Sequence, residues 1–320
     1  MKDSSTIAAR IIDRYRLHGP VSVLADQLPR SELTSLFMHV FNRRAAKVPP
    51  AQLMAQLHVD RFVAPSTVPQ AVFAWCDHRA FGLLPDWESI ELAPIAPLGS
   101  CSVLAPVDQG LIVGTTRGQE VMSDCTNMLA LLAAQRRRAS RHGTLRLCTS
   151  HRLTRATPLA DPRHTAHFRV FTLVTAGRDS GHMGFEIAAL AEHFRFYQQF
   201  LNTICGERQI RLQAVVMEYA EMPADWSSTL SERARFPLAV KRTERPGWSY
   251  YHPFQFKINV TIGPTSLDLI DGGMVNWTQT LLSDRKERLL ISAIGTEMLC
   301  KVLLEQDPGH FDTPRVTRDG

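Results

Sequence analysis

Between Leu145 and Arg178 the chain sets Arg146, Arg152, Arg155, Arg169 and Arg178 among residues with strand character. A planar guanidinium fork matches the oxygens of a phosphate or carboxylate, so this stretch invites oxyanion chemistry. Side chains alternate along an extended chain, which puts Arg146 and Arg152 on one face with Cys148 and Ser150. Arg152 is the first candidate for an anion contact and Arg155 the second, with Arg169 and Arg178 as outer candidates. The histidines His151, His164 and His167 lie in loop and strand, where their spacing does not present them together. No nearby cysteine or acid completes a ligand set, so no metal site is expected.

The elements that position these groups follow from periodicity. Leu145 onward reads as a strand, followed by a polar loop with Pro158 and Pro162 and a second strand from His167 to Thr175. After Gly177 to Gly184 comes a helix whose Leu190, Phe194, Tyr197 and Leu201 recur on one stripe. Upstream, Ser5–Tyr15, Ser31–Ala46, Ala51–Leu57 and Pro69–His78 have helical character, and residues 1–81 are expected to form a helical N-terminal portion. From residue 82 to 320 a second unit is expected. In it a strand ends near Thr116, a turn carries Arg117 to Glu120, and Ser123 or Asp124 caps a helix with Met128, Leu129, Leu132 and Ala133 on its buried stripe. Arg211 to Ala220 reads as a strand, and the polar text from Trp226 to Arg245 as a loop or insertion. Phe254, Phe256, Ile258, Val260 and Ile262 alternate with polar residues, the cleanest strand signal in the chain. A further strand runs into Asp271, Gly272 and Gly273, and RLLISAIGTEML reads as a strand feeding a helix.

With 320 residues and 44% hydrophobic content the chain can bury one large core or two smaller ones. It has no apolar run of membrane-spanning length and its first twenty residues are polar rather than a signal peptide, so a cytoplasmic location with no membrane partner is expected. Six cysteines without a CxxC pair point to reduced thiols. The net charge of +5 allows nucleic-acid contact without requiring it. The basic run Arg136, Arg137, Arg138 and Arg141 is expected to be a solvated helix end that offsets the macrodipole.

An arginine-bearing hairpin (RLCTSHRLTRA, then HFRVFTLVTAG) followed by an amphipathic helix resembles the second signature motif of the class II aminoacyl-tRNA synthetases. Among them it is most similar to histidyl-tRNA synthetase and its regulatory paralogue in ATP phosphoribosyltransferase. IELAPIAPLG resembles part of the first motif and RLLISAIGTEML the third, and the stretches occur in the family's order over roughly residues 88–304. The resemblance implies an α+β fold, with a mixed, mostly antiparallel sheet flanked by helices, and a homodimer.

Site roles follow from the same resemblance. Glu120, with Gln119 as the one-position alternative and Arg117 beside it, is where the family grips the substrate's amino group. A carboxylate there suits an ammonium, although a helix-capping role is equally open. Arg152 or Arg155 would stabilise an α-phosphate, and Arg169 and Glu297 would contact ATP with Mg2+. Tyr250, Tyr251 and the Asp271-Gly272-Gly273 turn would line the amino-acid pocket, the glycines letting backbone approach the substrate. Where the family reads a histidine side chain, Asn276 and Trp277 stand instead. Met298 occupies the place of the third-motif arginine, with Arg288 or Lys286 as candidate substitutes. The expected function is binding of an amino acid or related carboxylate and its ATP-dependent activation as an adenylate for an acceptor other than tRNA. The alternative is a non-catalytic, amino-acid-sensing subunit of a partner enzyme. Only about fifteen residues follow Leu304, so no anticodon-binding domain and no tRNA partner are expected.

Overall fold

In a computed structural model of the chain, residues 4–157, 164–206, 208, 210–236, 238–247 and 249–311 are described. Helices α1 (Ser4–Tyr15), α2 (His18–Ser22), α3 (Arg30–Ala45) and α4 (Pro50–Val59) open it. No residue of α2, α3 or α4 is buried. The next helix, α5 (Gln70–Gly82), differs: Val72, Phe73, Cys76 and Ala80 sink into the main core. Helix α5 therefore packs with the sheet.

The short strands β1 (Glu88–Ser89) and β2 (Ile95–Pro97), α6 (Ser100–Leu104) and β3 (Gln119–Val121) lead to α7 (Cys125–Ala139), then to the hairpin β4 (Leu145–Thr154) and β5 (His167–Arg178). After α8 (Gly184–Cys205) come β6 (Ile210–Glu218), α9 (Trp226–Ala234), β7 (Leu238–Arg242), β8 (Phe254–Ile262), β9 (Thr265–Val275), α10 (Trp277–Leu282), β10 (Glu287–Ile294) and α11 (Thr296–Gln306). One eight-stranded sheet has the order β1-β4-β5-β10-β9-β8-β6-β7. Only β1 with β4 and β6 with β7 pair in parallel. This is the mixed, mostly antiparallel sheet that was expected.

Alternation in β4 and β5 builds two cores. Cys148, Phe171 and Leu173 join α5, α8, α9 and α11 on one face, while Leu147, Leu153, Val170 and Val174 join α7 and Trp277 of α10 on the other. The predicted stripe of α8 is fully buried in the first core. There His193 Nε2 meets Thr175 Oγ1 at 3.0 Å and His193 Nδ1 meets Ser292 Oγ at 2.7 Å, tying α8 to β5 and β10. Burial drives the His193 pKa down to about 3.

Three sequence expectations need correction. The stretch expected as a loop after Trp226 is helix α9 and strand β7, because Trp226, Leu230 and Ala234 share a face that buries against the first core. The glycines 272 and 273 are no turn but the interior of β9. A Cβ on Gly272 would lie 2.5 Å from the Ile291 carbonyl oxygen and one on Gly273 2.5 Å from that of Phe254, so neighbouring strand atoms, rather than a substrate, exclude it. The arginine cluster ending α7 is solvated only in part: Arg138 and Arg141 are exposed, but Arg137 is 1% exposed and forms an ion pair with fully buried Glu287. Arg136 pairs with Glu88 and Arg141 with Asp284 at the surface.

All six cysteines are buried thiols. Burial pushes the thiol of Cys101 up to about 11, of Cys148 to about 12 and of Cys205 to about 11. No helix among the described residues is long and apolar enough to cross a membrane. Nor do the described residues contain a group of three or more His, Cys, Asp and Glu side chains placed to hold a metal ion.

Two outcomes are predicted. Arg137→Ala leaves the fully buried Glu287 carboxylate with Arg178 at 3.3 Å as its remaining cation and should cost about 3 kcal/mol in denaturant unfolding, whereas Arg137→Met combined with Glu287→Gln should cost far less. His193 has a folded pKa below its ordinary 6.5. Its contribution is therefore complete above pH 6.5 and declines as pH falls from there toward 3, a slope that His193→Gln should flatten in urea titrations.

Candidate functional site

Thr172 of β5, Ala293 of β10 and Asp271 of β9 lie in register across three adjacent strands. Register partners point to one face, here the face carrying α7. The methyl of Ala293 between two longer polar side chains leaves room, and a hollow of about 430 Å3 opens over this row. Such a volume suits a small metabolite.

The N-terminus of α7 forms one wall. Asp124 caps the helix, its Oδ1 accepting from Thr126 N at 2.8 Å and from Thr126 Oγ1 at 2.7 Å. Its Oδ2 lies 3.4 Å from an Arg155 guanidinium nitrogen. Arg155 extends from the end of β4, donates to the Ser123 carbonyl at 2.9 Å and stacks over Phe168. Tyr250 and Tyr251 close the opposite side, their ring centroids 4.5 Å apart. The Tyr251 hydroxyl donates to Asp271 Oδ2 at 3.3 Å. Solvent reaches Asp271 through the hollow, yet desolvation by the surrounding protein raises its pKa, and the neighbouring Asp124 carboxylate adds to the rise. Burial likewise raises both tyrosine hydroxyls, which stay neutral donors. Gly273 makes this wall possible, since a Cβ there would sit 2.6 Å from the Tyr251 ring.

At the other end, where β10 passes into α11, Glu297, Met298 and Lys301 face the hollow together with Asp268 and Leu269. Glu297 is 1% exposed. Its carboxylate accepts from Ser66 Oγ at 2.7 Å, Arg152 at 2.9 Å and Arg169 N at 3.0 Å, and lies 3.6 Å from Lys301 Nζ.

Several candidates from the sequence sit elsewhere. Arg152 follows the parity of Cys148 and Ser150 onto the helical face, where it meets Glu297 and His167 Nδ1. Arg169 borders the hollow, while its guanidinium reaches Asp77 at 2.7 Å and Ser150 at 2.9 Å. Arg155, one pleat on, lines the hollow. Glu120 is fully buried, and its carboxylate accepts from Gly99 N at 2.8 Å, Cys101 N at 3.2 Å and Gln109 at 3.0 Å. It holds α6 in place. Gln119 bonds Thr115, and Arg117 stands in the turn before β3, both outside the hollow. Asn276 and Trp277 line a separate depression with Arg245 and His252 that touches the main hollow only through Tyr250. Arg288 pairs with Glu186 and Asp179, and neither it nor Lys286 lines the hollow.

Reasoning from sequence missed Asp124 and Lys301. Asp124 was legible only as a helix cap. The available signal was its spacing from Thr126, which satisfies the cap through one oxygen and leaves the other turned to Arg155 beside the hollow.

No protein-family model and no curated protein matches the sequence. Solved structures do. The histidyl-tRNA synthetase of S. aureus superposes with a TM-score of 0.56 at 12% identity, covering 76% of this chain and 68% of that one. An ATP phosphoribosyltransferase regulatory subunit/histidyl-tRNA synthetase from Bacillus halodurans gives 0.56 at 13% identity, covering 76% and 82%. The chain has the class II aminoacyl-tRNA synthetase fold. A putative threonyl-tRNA synthetase from Aeropyrum pernix gives 0.58 at 11% identity, covering 77% of this chain and 63% of that one. Identities this low establish the synthetase fold and leave the chemistry to the residues in the hollow. The β4–β5 hairpin with α8, and β10 with α11, are the elements that the second- and third-motif resemblance anticipates.

Ala293→Leu should fill the floor of the hollow and abolish binding of any small ligand in calorimetry, with circular dichroism unchanged. Gly273→Ala should cost about 1–3 kcal/mol in stability through overpacking against Tyr251 and the Phe254 carbonyl.

Proposed function

We propose that the chain is a non-catalytic amino-acid-binding protein on the synthetase fold, acting as a sensing subunit for a partner enzyme or carrier. The observation that carries this reading is the arrangement of Asp124, Asp271 and Arg155 around one hollow walled by Tyr250 and Tyr251. Two carboxylates suit an ammonium group, the guanidinium suits a carboxylate, and neutral tyrosine hydroxyls orient either. The structure from Bacillus halodurans is described as both a regulatory subunit and a synthetase, so a binding role on this fold has a counterpart among the similar structures. Assembly as a homodimer belongs to the same reading.

The lining does not suit a magnesium-bound triphosphate. Transfer chemistry on phosphates depends on cations placed along the phosphate chain. Here Arg155 lies against Asp124 and Lys301 against Glu297, Arg152 extends to the far face, Arg169 borders the hollow with its guanidinium held by Asp77, and Met298 stands where a clamping arginine was expected. Asp124, Asp268, Asp271 and Glu297 make the lining more acidic than basic. The adenylate-forming reading keeps one supporting observation, that Arg155 and Lys301 border the same hollow.

Calorimetry with the common amino acids is expected to find one that binds, and removal of either its amino or its carboxylate group should abolish the signal. Because the Asp271 pKa is raised, affinity should fall as pH is lowered through that pKa and the carboxylate takes up a proton. Asp271→Asn should weaken binding about ten- to a hundredfold and remove that pH dependence. Amino-acid-dependent exchange of pyrophosphate into ATP is expected to be absent. Robust exchange would replace this reading with adenylate formation.

A further inference from the structure

On the helical face of the sheet, remote from the hollow described above, α8, α9 and the ends of β4 and β5 enclose a second cavity of about 440 Å3. Arg146, Arg178, Arg195 and Arg233 all line it, against the single carboxylate of Glu192. Arg146 consumes that carboxylate, its Nε donating to both Glu192 oxygens at 2.8 and 2.9 Å. Arg178 turns to Asp284 at 2.9 Å and Glu287 at 3.3 Å. The remaining two have no acidic partner. Arg195 donates to the Arg233 main-chain carbonyl at 3.0 Å, and among the described residues neither Arg195 nor Arg233 meets a carboxylate.

Glu192, Asp284 and Glu287 offset two of these four charges, so the positive potential over the concavity is set by Arg195 and Arg233. Arg137, Arg169 and Arg288 are paired with acids inside the fold, whereas Arg195 and Arg233 are exposed at the mouth of this cavity and carry no such pair among the described residues. Ser180 adds a hydroxyl at the rim, where the N-terminal end of the 22-residue α8 also opens, bringing helix-dipole and donor character of the same sign.

We propose that this cavity is an oxyanion site for a phosphate group, with Arg195 and Arg233 as its principal ligands and Arg146 and Arg178 as fixed flanking charges. The volume accommodates inorganic phosphate or the phosphate end of a nucleotide-sized metabolite. The site is independent of the amino-acid reading of the other hollow. It rests on different helices and on the opposite face of the sheet.

The test uses the full chain in thermal-shift and calorimetric titrations with inorganic phosphate, pyrophosphate, AMP and ATP at constant ionic strength, with sodium chloride and acetate as controls. Phosphate-bearing compounds should raise the unfolding midpoint and the controls should not. A nucleotide that binds at least tenfold tighter than inorganic phosphate identifies the metabolite source, and equal affinity identifies the free anion. Arg195→Ala with Arg233→Ala should lower affinity at least a hundredfold, while the double Lys variant should retain part of it. Arg233→Ala alone removes a side chain with no acidic partner among the described residues, so it should fold normally and lose about tenfold. Undiminished affinity in Arg233→Ala and the double Ala variant, or equal stabilisation by chloride, would overturn the proposal.

Discussion

A pleated strand can offer a given side chain to only one of its faces, and in this molecule that constraint decides what the arginines of the central hairpin do. Arg152 and Arg155 are three residues apart and chemically equivalent. Parity sends Arg152 into an ion network with Glu297 and His167 beneath the helices, and sends Arg155 over the sheet toward Asp124. A shift of one residue in the register of β4 against β5 would exchange these roles and expose the core residues of both faces together. The register is held from both sides, by α7 through Arg137 and Glu287 and by α8 through His193, Thr175 and Ser292.

The fold was largely legible because its signals are periodic. The two strands of the hairpin and the helix after it, the stripe on α8 and the alternation of β8 all follow from spacing alone, and they recur in the structure where they were expected, while the loop at Pro158 and Pro162 lies outside the described residues. What spacing does not encode is which neighbour a polar side chain will meet. Arg137 reads as a helix-end cation until β10 brings Glu287 beside it, 150 residues away in the chain. Glu120 reads as a ligand-grip carboxylate until the loop before α6 supplies backbone donors. The segment from Trp226 was misread because its polar surface outweighs three buried residues of α9.

The two cavities lie on opposite faces of one sheet and differ in sign. The hollow over Thr172, Ala293 and Asp271 is acidic and aromatic, whereas the cavity beside α8 is basic. Strand β5 contributes Thr172 to the first and Thr175 and Arg178 to the second, and β10 pairs with it along that whole length. Both cavities therefore border the same hydrogen-bonded ladder of β5 and β10.

The placement of the cysteines has a practical corollary. Each sulfur lies inside the fold, and burial keeps Cys101, Cys148 and Cys205 in the unreactive protonated form at neutral pH. Alkylation of the native chain must wait for a segment to open, so its rate becomes a clock for local breathing. Because Cys101 belongs to α6, Cys148 to β4 and Cys205 to the end of α8, mass spectrometry of the labelled peptides would time three separate regions from a single unmodified sample.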